Sequence, residues 1–225
     1  MHVPTGFEAY CRILHRTATG REDWPGLRWA DIASHTGAKI HPGVQWHRLI
    51  GVHESEGISA IYGDWNGHSP RHGQMSAPEF SALVGILARQ TAESDEATLG
   101  FWEGYFGSSN HEPDRPNAAE LEAPRLSIGT RNFIGLQCDF SAYASLVQSS
   151  YSEGDDHPNV MWPSDRSWFV SSEIDFDSTI VGGTNTLVQE ILNNDILEAL
   201  PADPDLDLSV SGDSVNSVPR GSSVN

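Results

Sequence analysis

Ten histidines punctuate the chain, and two of them, His68 and His72, stand four residues apart with Asp64 just upstream. Imidazole nitrogens and a carboxylate are donor types that hold zinc. Pro70 lies between the two histidines, so a regular helix cannot present them and a metal site there has to be a loop site. His35, His41, His47 and His53 recur every six residues. That is wider than the H-x-H or H-x-x-x-H spacing by which one strand or helix supplies two ligands. Solvated or hydrogen-bonded loop imidazoles are the plainer expectation for all of them.

A second pattern is Asp175-Phe-Asp177-Ser-Thr179-Ile180. It is similar to the first motif of haloacid-dehalogenase-type phosphotransferases. The resemblance implies Asp175 as the nucleophile on phosphorus, Asp177 as acid/base and Mg²⁺ to neutralise the phosphoryl oxygens. The rest of the chain departs from that pattern. In that family the motif opens the core domain, and a basic residue and further acidic ligands follow it. Here 45 residues follow Ile180, with Arg220 their only cation. The competing reading is a strand with Trp168, Val170, Ile174 and Phe176 on its buried face and Glu173 and Asp175 on its wet face.

Other signatures of chemistry are missing. There is no G-x-S-x-G, no phosphate-binding P-loop and no G-x-G-x-x-G. Gly182-Gly183 reads as a tight strand-to-helix turn rather than an anion cradle. The seven tryptophans are dispersed, which suits core packing better than a sugar-stacking platform. Cys11 and Cys138 form no C-x-x-C pair and no disulfide framework.

Candidate residues need elements to position them. Ser76-Ala-Pro-Glu79 is a capping box with proline just inside the helix start, leading into the stripe Phe80, Leu83, Val84 and Leu87. Further helices are predicted over Trp29 to Thr36, ended by Gly37, and over Phe140 to Gln148 behind Asp139. A last one runs from Thr184, burying Leu187, Val188, Ile191 and Leu192, recapped at Asp195 to Glu198 and stopped by Pro201. Period-two alternation predicts strands at Ile134 to Phe140 and Trp168 to Phe176, and weaker ones at Val44 to Ile50 and Ile58 to Tyr62. The aromatic-rich run Leu99 to Phe106 is read as another. None is a continuous Val/Ile run, so a mostly antiparallel sheet flanked by helices, an α+β fold, is expected over a buried parallel one.

The chain has 225 residues, which one hydrophobic core can serve. Residues 1–200 are read as a single α+β domain. Residues 201–225, rich in Ser and Asp and without aromatics, are read as a disordered tail. Between Met1 and Gly20 there is no apolar core of a signal peptide, and no run reaches the length of a membrane span, so the cytoplasm is the expected compartment.

Acidic residues number 31 against 13 basic ones, for a net charge of −18. Such a field repels phosphate backbones and anionic membranes, so neither nucleic acid nor membrane is an expected partner, whereas a basic protein is compatible with it. Acidity concentrates at Glu93-Ser-Asp-Glu96 and Glu153-Gly-Asp-Asp156.

Five segments taken together, Gly6 to His15, Arg28 to Asp31, His41 to Arg48, Phe101 to Tyr105 and Trp162 to Gly183, resemble a group of uncharacterised actinobacterial proteins across most of the chain short of the tail. The resemblance implies no activity, cofactor or site residue. The residues therefore lead to a non-catalytic protein-binding or regulatory module with an acidic surface and no cofactor. The alternative is a small metal-dependent hydrolase using Asp175, Asp177 and the loop residues Asp64, His68 and His72.

Overall fold

The computed structural model describes residues 3–18, 26–92, 95–105, 123–152 and 156–216. The first half holds β1 (Ala9–Leu14), β2 (Thr17–Ala18), α1 (Trp29–Thr36), α2 (Trp46–Leu49), α3 (Ile58–Ile61), β3 (Ser69–Pro70) and α4 (Ala77–Arg89). Then come β4 (Glu96–Trp102), β5 (Arg125–Ile128), β6 (Arg131–Asp139), α5 (Phe140–Ser150) and β7 (Val160–Pro163). Last are β8 (Phe169–Ser171), β9 (Ser178–Gly183), α6 (Asn185–Leu192) and β10 (Glu198–Ala202). Eight strands form one sheet in the order β10-β1-β9-β8-β7-β4-β6-β5, while β2 and β3 pair apart from it. Every neighbouring pair is antiparallel, as the sequence predicts.

Helices α4, α5 and α6 cover one face of this sheet. The α4 stripe buries Phe80, Leu83, Val84 and Leu87 completely against Val170, Val181 and Trp168. Each such side chain contributes about 1.5–3 kcal/mol by leaving water. The capping box forms as expected: the Ser76 amide and hydroxyl both donate to Glu79, at 3.0 and 2.6 Å. Asp139 and Thr184 cap α5 and α6 by accepting from Ala142 N and Leu187 N. Gly37 ends α1 in the left-handed conformation at φ 79°. The opposite face of the sheet carries a second cluster around Tyr10, Phe133, Val160, Phe169 and Ile180. A third, with Trp29, Ile32, Val44, Trp46 and Leu49, packs α1 and α2 beside Leu14 at one end of β1.

Several expectations are corrected. Val44 to Ile50 and Ile58 to Tyr62 are not strands but contain the single helical turns α2 and α3. Four residues per turn are too few to separate period two from period 3.6. The strand predicted over Trp168 to Phe176 is only β8. Beyond Ser171 the chain turns, which leaves Glu173 buried and Ile174 half-buried, the reverse of the predicted faces. Gly182-Gly183 ends a fully buried strand rather than making a turn. A Cβ on Gly182 would lie 2.5 Å from the Phe7 ring, so a larger residue there has to displace that ring.

The predicted recapping at Asp195 to Glu198 gives way to β10, an edge strand in which Pro201 pairs with Cys11. Proline is tolerated at a sheet edge because no ladder partner needs its missing N–H on the open side. Past Leu200 the described residues remain packed, with Asp213 and Asn216 buried. Residues 217–225 of the predicted tail lie outside the described residues.

Candidate functional site

The middle of β1 carries a charge where the pattern calls for an apolar residue. Arg12 is 1% exposed, between Cys11 and Ile13, on a strand hydrogen-bonded on both edges. A guanidinium in that place has to be satisfied by the protein. Its Nε donates to Ser178 Oγ at 2.8 Å, and its Nη1 to the carbonyls of Pro42 and Val44 at 3.0 and 2.7 Å. Its Nη2 donates to Asp177 Oδ1 at 3.2 Å. Burial pulls the Arg12 pKa down, and Asp177 opposes that shift. The residue thereby pins three segments together: β1, the approach to β9, and the loop that leads into α2.

That loop is held from the other side by the C-terminal segment. Asp213 accepts from Gln45 N at 3.2 Å, from His41 Nε2 at 2.9 Å, and from the Val215 and Asn216 amides at 3.0 and 2.9 Å. Despite its burial, these donors bring the Asp213 carboxyl below its ordinary range. Asn216 adds a two-sided clamp on Lys39, accepting from its amide at 2.8 Å and donating to its carbonyl at 2.9 Å.

Between these attachments lies a cavity of about 150 Å³. Arg12, Asp177 and Ser178 line one side, and Gln45, Trp46 and His47 another. Tyr62 contributes from the end of α3, His72 from the loop after β3, Asp175 and Phe176 from the turn before β9, and Leu208 to Val210 from the C-terminal segment. Gln45 and His47 are 7% and 2% exposed. Among the described residues, Gln45 Nε2 and His47 Nε2, both sealed from solvent, have no hydrogen-bond partner. Burial, reinforced by Arg48, pushes the His47 pKa down, so the ring is neutral near pH 7.

The sequence-predicted residues divide. Asp175, Asp177 and His72 all border the cavity. Asp177 is engaged by Arg12, and exposed Asp175 by Arg131, which also bonds Glu173 with its Nε at 3.0 Å. Each carboxylate thus faces a guanidinium. Asp64 and His68 are not among the cavity residues. Asp64 accepts from Gly67 N at 2.7 Å within its own turn, and His68 Nδ1 lies 3.4 Å from Thr17 Oγ1. Among the described residues, no group of three or more His, Cys, Asp and Glu side chains is placed to hold a metal ion.

Behind the cavity runs a buried polar chain. His15 Nδ1 donates to the Arg71 carbonyl at 2.8 Å, which makes Nε2 the acceptor for the Thr179 hydroxyl at 2.8 Å. Ser172 Oγ then donates to Thr179 Oγ1 at 2.5 Å. Burial holds the His15 pKa down at about 3, so the ring stays neutral and fully bonded. His157, stacked on Phe80 at 4.4 Å, accepts from Met75 N at 2.7 Å and donates to Pro158 O at 2.9 Å. Both imidazoles knit loops to the core.

Arg12, Gln45 and Asp213 escape motif reading because they belong to no spaced pattern, and the six-residue histidine spacing that includes His47 is not what brings it to the cavity. The one available signal is an arginine inside the apolar run Tyr10 to Leu14. Fold and site together define an all-antiparallel α+β protein with a small polar cavity walled by its own C-terminal segment. No protein family matches the chain, and neither characterised proteins nor solved structures give a significant match. Among the described residues, no helix is long and apolar enough to cross a membrane.

Proposed function

We propose that this protein is a non-catalytic binding module whose ligand is a small polar molecule held in the cavity beside Arg12. The observation that carries this reading is the cavity itself, where the polar side chains of Gln45, His47, Asp177 and Ser178 come together with Trp46 and Tyr62. A few polar side chains beside aromatic surface are what orients a small ligand in a pocket of this size. Arg12, in contrast, is fixed by four bonds of its own and serves as a rigid wall.

The hydrolase alternative has less support. Asp175 and Asp177 are tied to arginines, and burial raises the Cys11 thiol to about 12, far from a thiolate. The test is a panel of single-ring fragments, neutral, anionic and cationic, titrated into protein labelled at histidine. At least one fragment is expected to shift the His47 ring signals and raise the melting temperature. A panel in which nothing moves His47 assigns the cavity a purely structural role.

A second reading, regulation of a basic protein partner, is supported by the net charge of −18 with Lys39 as the sole lysine. Of its two acidic clusters, residues 93–94 and 153–155 lie outside the described residues. Capture of a partner at low salt that thins as salt rises is its expected mark, because surface attraction is screened within about a Debye length.

A further inference from the structure

The cavity wall formed by Leu208 to Val210 belongs to residues 203–216, which leave β10 and run past the cavity to the loop before α2. The stretch contains no helix or strand. From Pro204 to Gly212 its hydrogen bonds stay within it. Leu206 N donates to the Asp203 carbonyl at 3.0 Å, Ser209 N to Asp207 Oδ1 at 2.8 Å and Gly212 N to the Ser209 carbonyl at 2.9 Å. Among the described residues, no hydrogen bond joins that span to the rest of the protein. Its apolar hold is also slight. Leu206 and Leu208 are half-buried, Leu208 against the cluster around Tyr10, Phe169 and Ile180, while Val210 and Val215 are exposed.

The far end is fastened by polar groups. Buried Asp213 and Asn216 accept from the Gln45 and Lys39 amides, and Asp213 from the His41 ring. Asn216 Nδ2 donates to Asp213 Oδ2 at 2.9 Å, which joins the two anchors to each other. Asp213 also supports the charge on buried Arg12. Few buried apolar contacts and backbone hydrogen bonds open to water are the make-up of a segment that opens locally. The body beneath is the reverse, with Cys11, Ile13 and Val181 fully buried on paired strands.

We propose that residues 203–216 are a strap that opens as one unit while the sheet stays folded, with Asp213 and Asn216 as its latch. The hinge lies just after Ala202, the last paired residue of β10. Opening takes Leu208 to Val210 out of the cavity wall, so the strap controls access to the space beside Arg12. This rests on the ligand-binding reading above and adds a gate to that site. Its test uses no ligand, so the gate and the ligand reading fail separately.

The test is native-state hydrogen exchange of the full-length protein, read residue by residue by NMR at increasing urea. The Lys39 and Gln45 amides report on the latch from the body, because strap side chains are their acceptors. Together with the Val215 and Asn216 amides they are expected to share one opening constant. It should exceed that of the Ile13 and Val181 amides by about tenfold or more and depend less on urea. Ile86→Val, a small change in the core, should speed the strand amides about fivefold and leave the strap amides unchanged, because the open state keeps the core intact. Asp213→Asn should speed the strap amides about tenfold by weakening the latch. Leu208→Ala should speed the Lys39 and Gln45 amides roughly fivefold, although Leu208 touches neither anchor's bonds. Strap amides that match the strand amides, or that accelerate with them in Ile86→Val, overturn the separate opening. An unchanged rate in Asp213→Asn overturns the latch. Lys39 and Gln45 amides unmoved by Leu208→Ala show fraying of the anchors alone and overturn the strap as one unit. Should Asp213→Asn fail to fold, the wild-type comparison and the other two variants still decide.

Discussion

Acid should unfold this protein through two histidines that never meet water, and the size of the effect follows from their bonding. Burial, against weaker opposition from its backbone hydrogen bonds, lowers the His157 pKa to about 4. Unfolded, the same imidazole titrates near 6.5. Between those values the unfolded chain binds a proton that the folded chain refuses. The stabilisation is therefore complete above pH 6.5 and lost as pH falls towards 4. The slope is about 1.4 kcal/mol per pH unit, so moving from pH 7 to pH 5 costs roughly 2 kcal/mol from His157 alone. His15, lowered to about 3 by burial and further by His157, adds a similar amount over the same interval.

Two buried carboxyls act the other way. Burial raises the pKa of Glu79 and of Glu198, so their contribution is greatest at low pH and declines as pH rises through their folded values. A plain pH–stability curve therefore mixes opposite signs, and a variant is needed to separate them. His157→Asn retains a polar side chain and loses the titration. Urea unfolding at pH 7 and pH 5 measures both proteins. The variant is expected to be the weaker at pH 7, because it forfeits the Phe80 stack, but the gap should shrink by about 2 kcal/mol at pH 5. A gap of the same size at both pH values would show that His157 is not a neutral buried imidazole, and the reasoning would fail.

Other outcomes are expected from the same contacts. Truncation after Pro204 removes the Asp213 and Asn216 clamp and should lower the melting temperature by several degrees, read by calorimetry; an unchanged value would mean the segment does not dock. Glu198→Ala deprives the first turn of α1 of an acceptor for Trp29 N and Ala30 N, both at 2.7 Å, and should cost about 1–3 kcal/mol in chemical denaturation. Glu173→Ala should destabilise more than Ile174→Ala, since Glu173 is buried against Arg131 while Ile174 is half-buried at a turn; a larger cost at Ile174 would restore a continuous strand there.

What was legible in the sequence was what repeats locally. The capping box at Ser76, the cap at Asp139 and the stop at Gly37 each act within one turn of helix, so neighbouring residues alone define them. The strands were less legible where tertiary contacts decide. β1 carries Arg12 in mid-strand because Asp177, Ser178 and two carbonyls 30 and 32 residues away arrive to satisfy it. β10 contains a proline because it is an edge, a fact about its neighbour rather than about itself.

The cavity is the extreme case of that dependence. Its walls come from β1, the loop into α2, the α3 region, the turn before β9 and the C-terminal segment, which no spacing rule connects. The Asp175 and Asp177 pattern touched this site for a reason other than the one it suggested. The two carboxylates turn to different arginines, Arg131 and Arg12, and the second of these pairs is what brings the site together. A charge buried in the middle of a strand needs partners from distant segments, and in this chain those partners are what build the cavity.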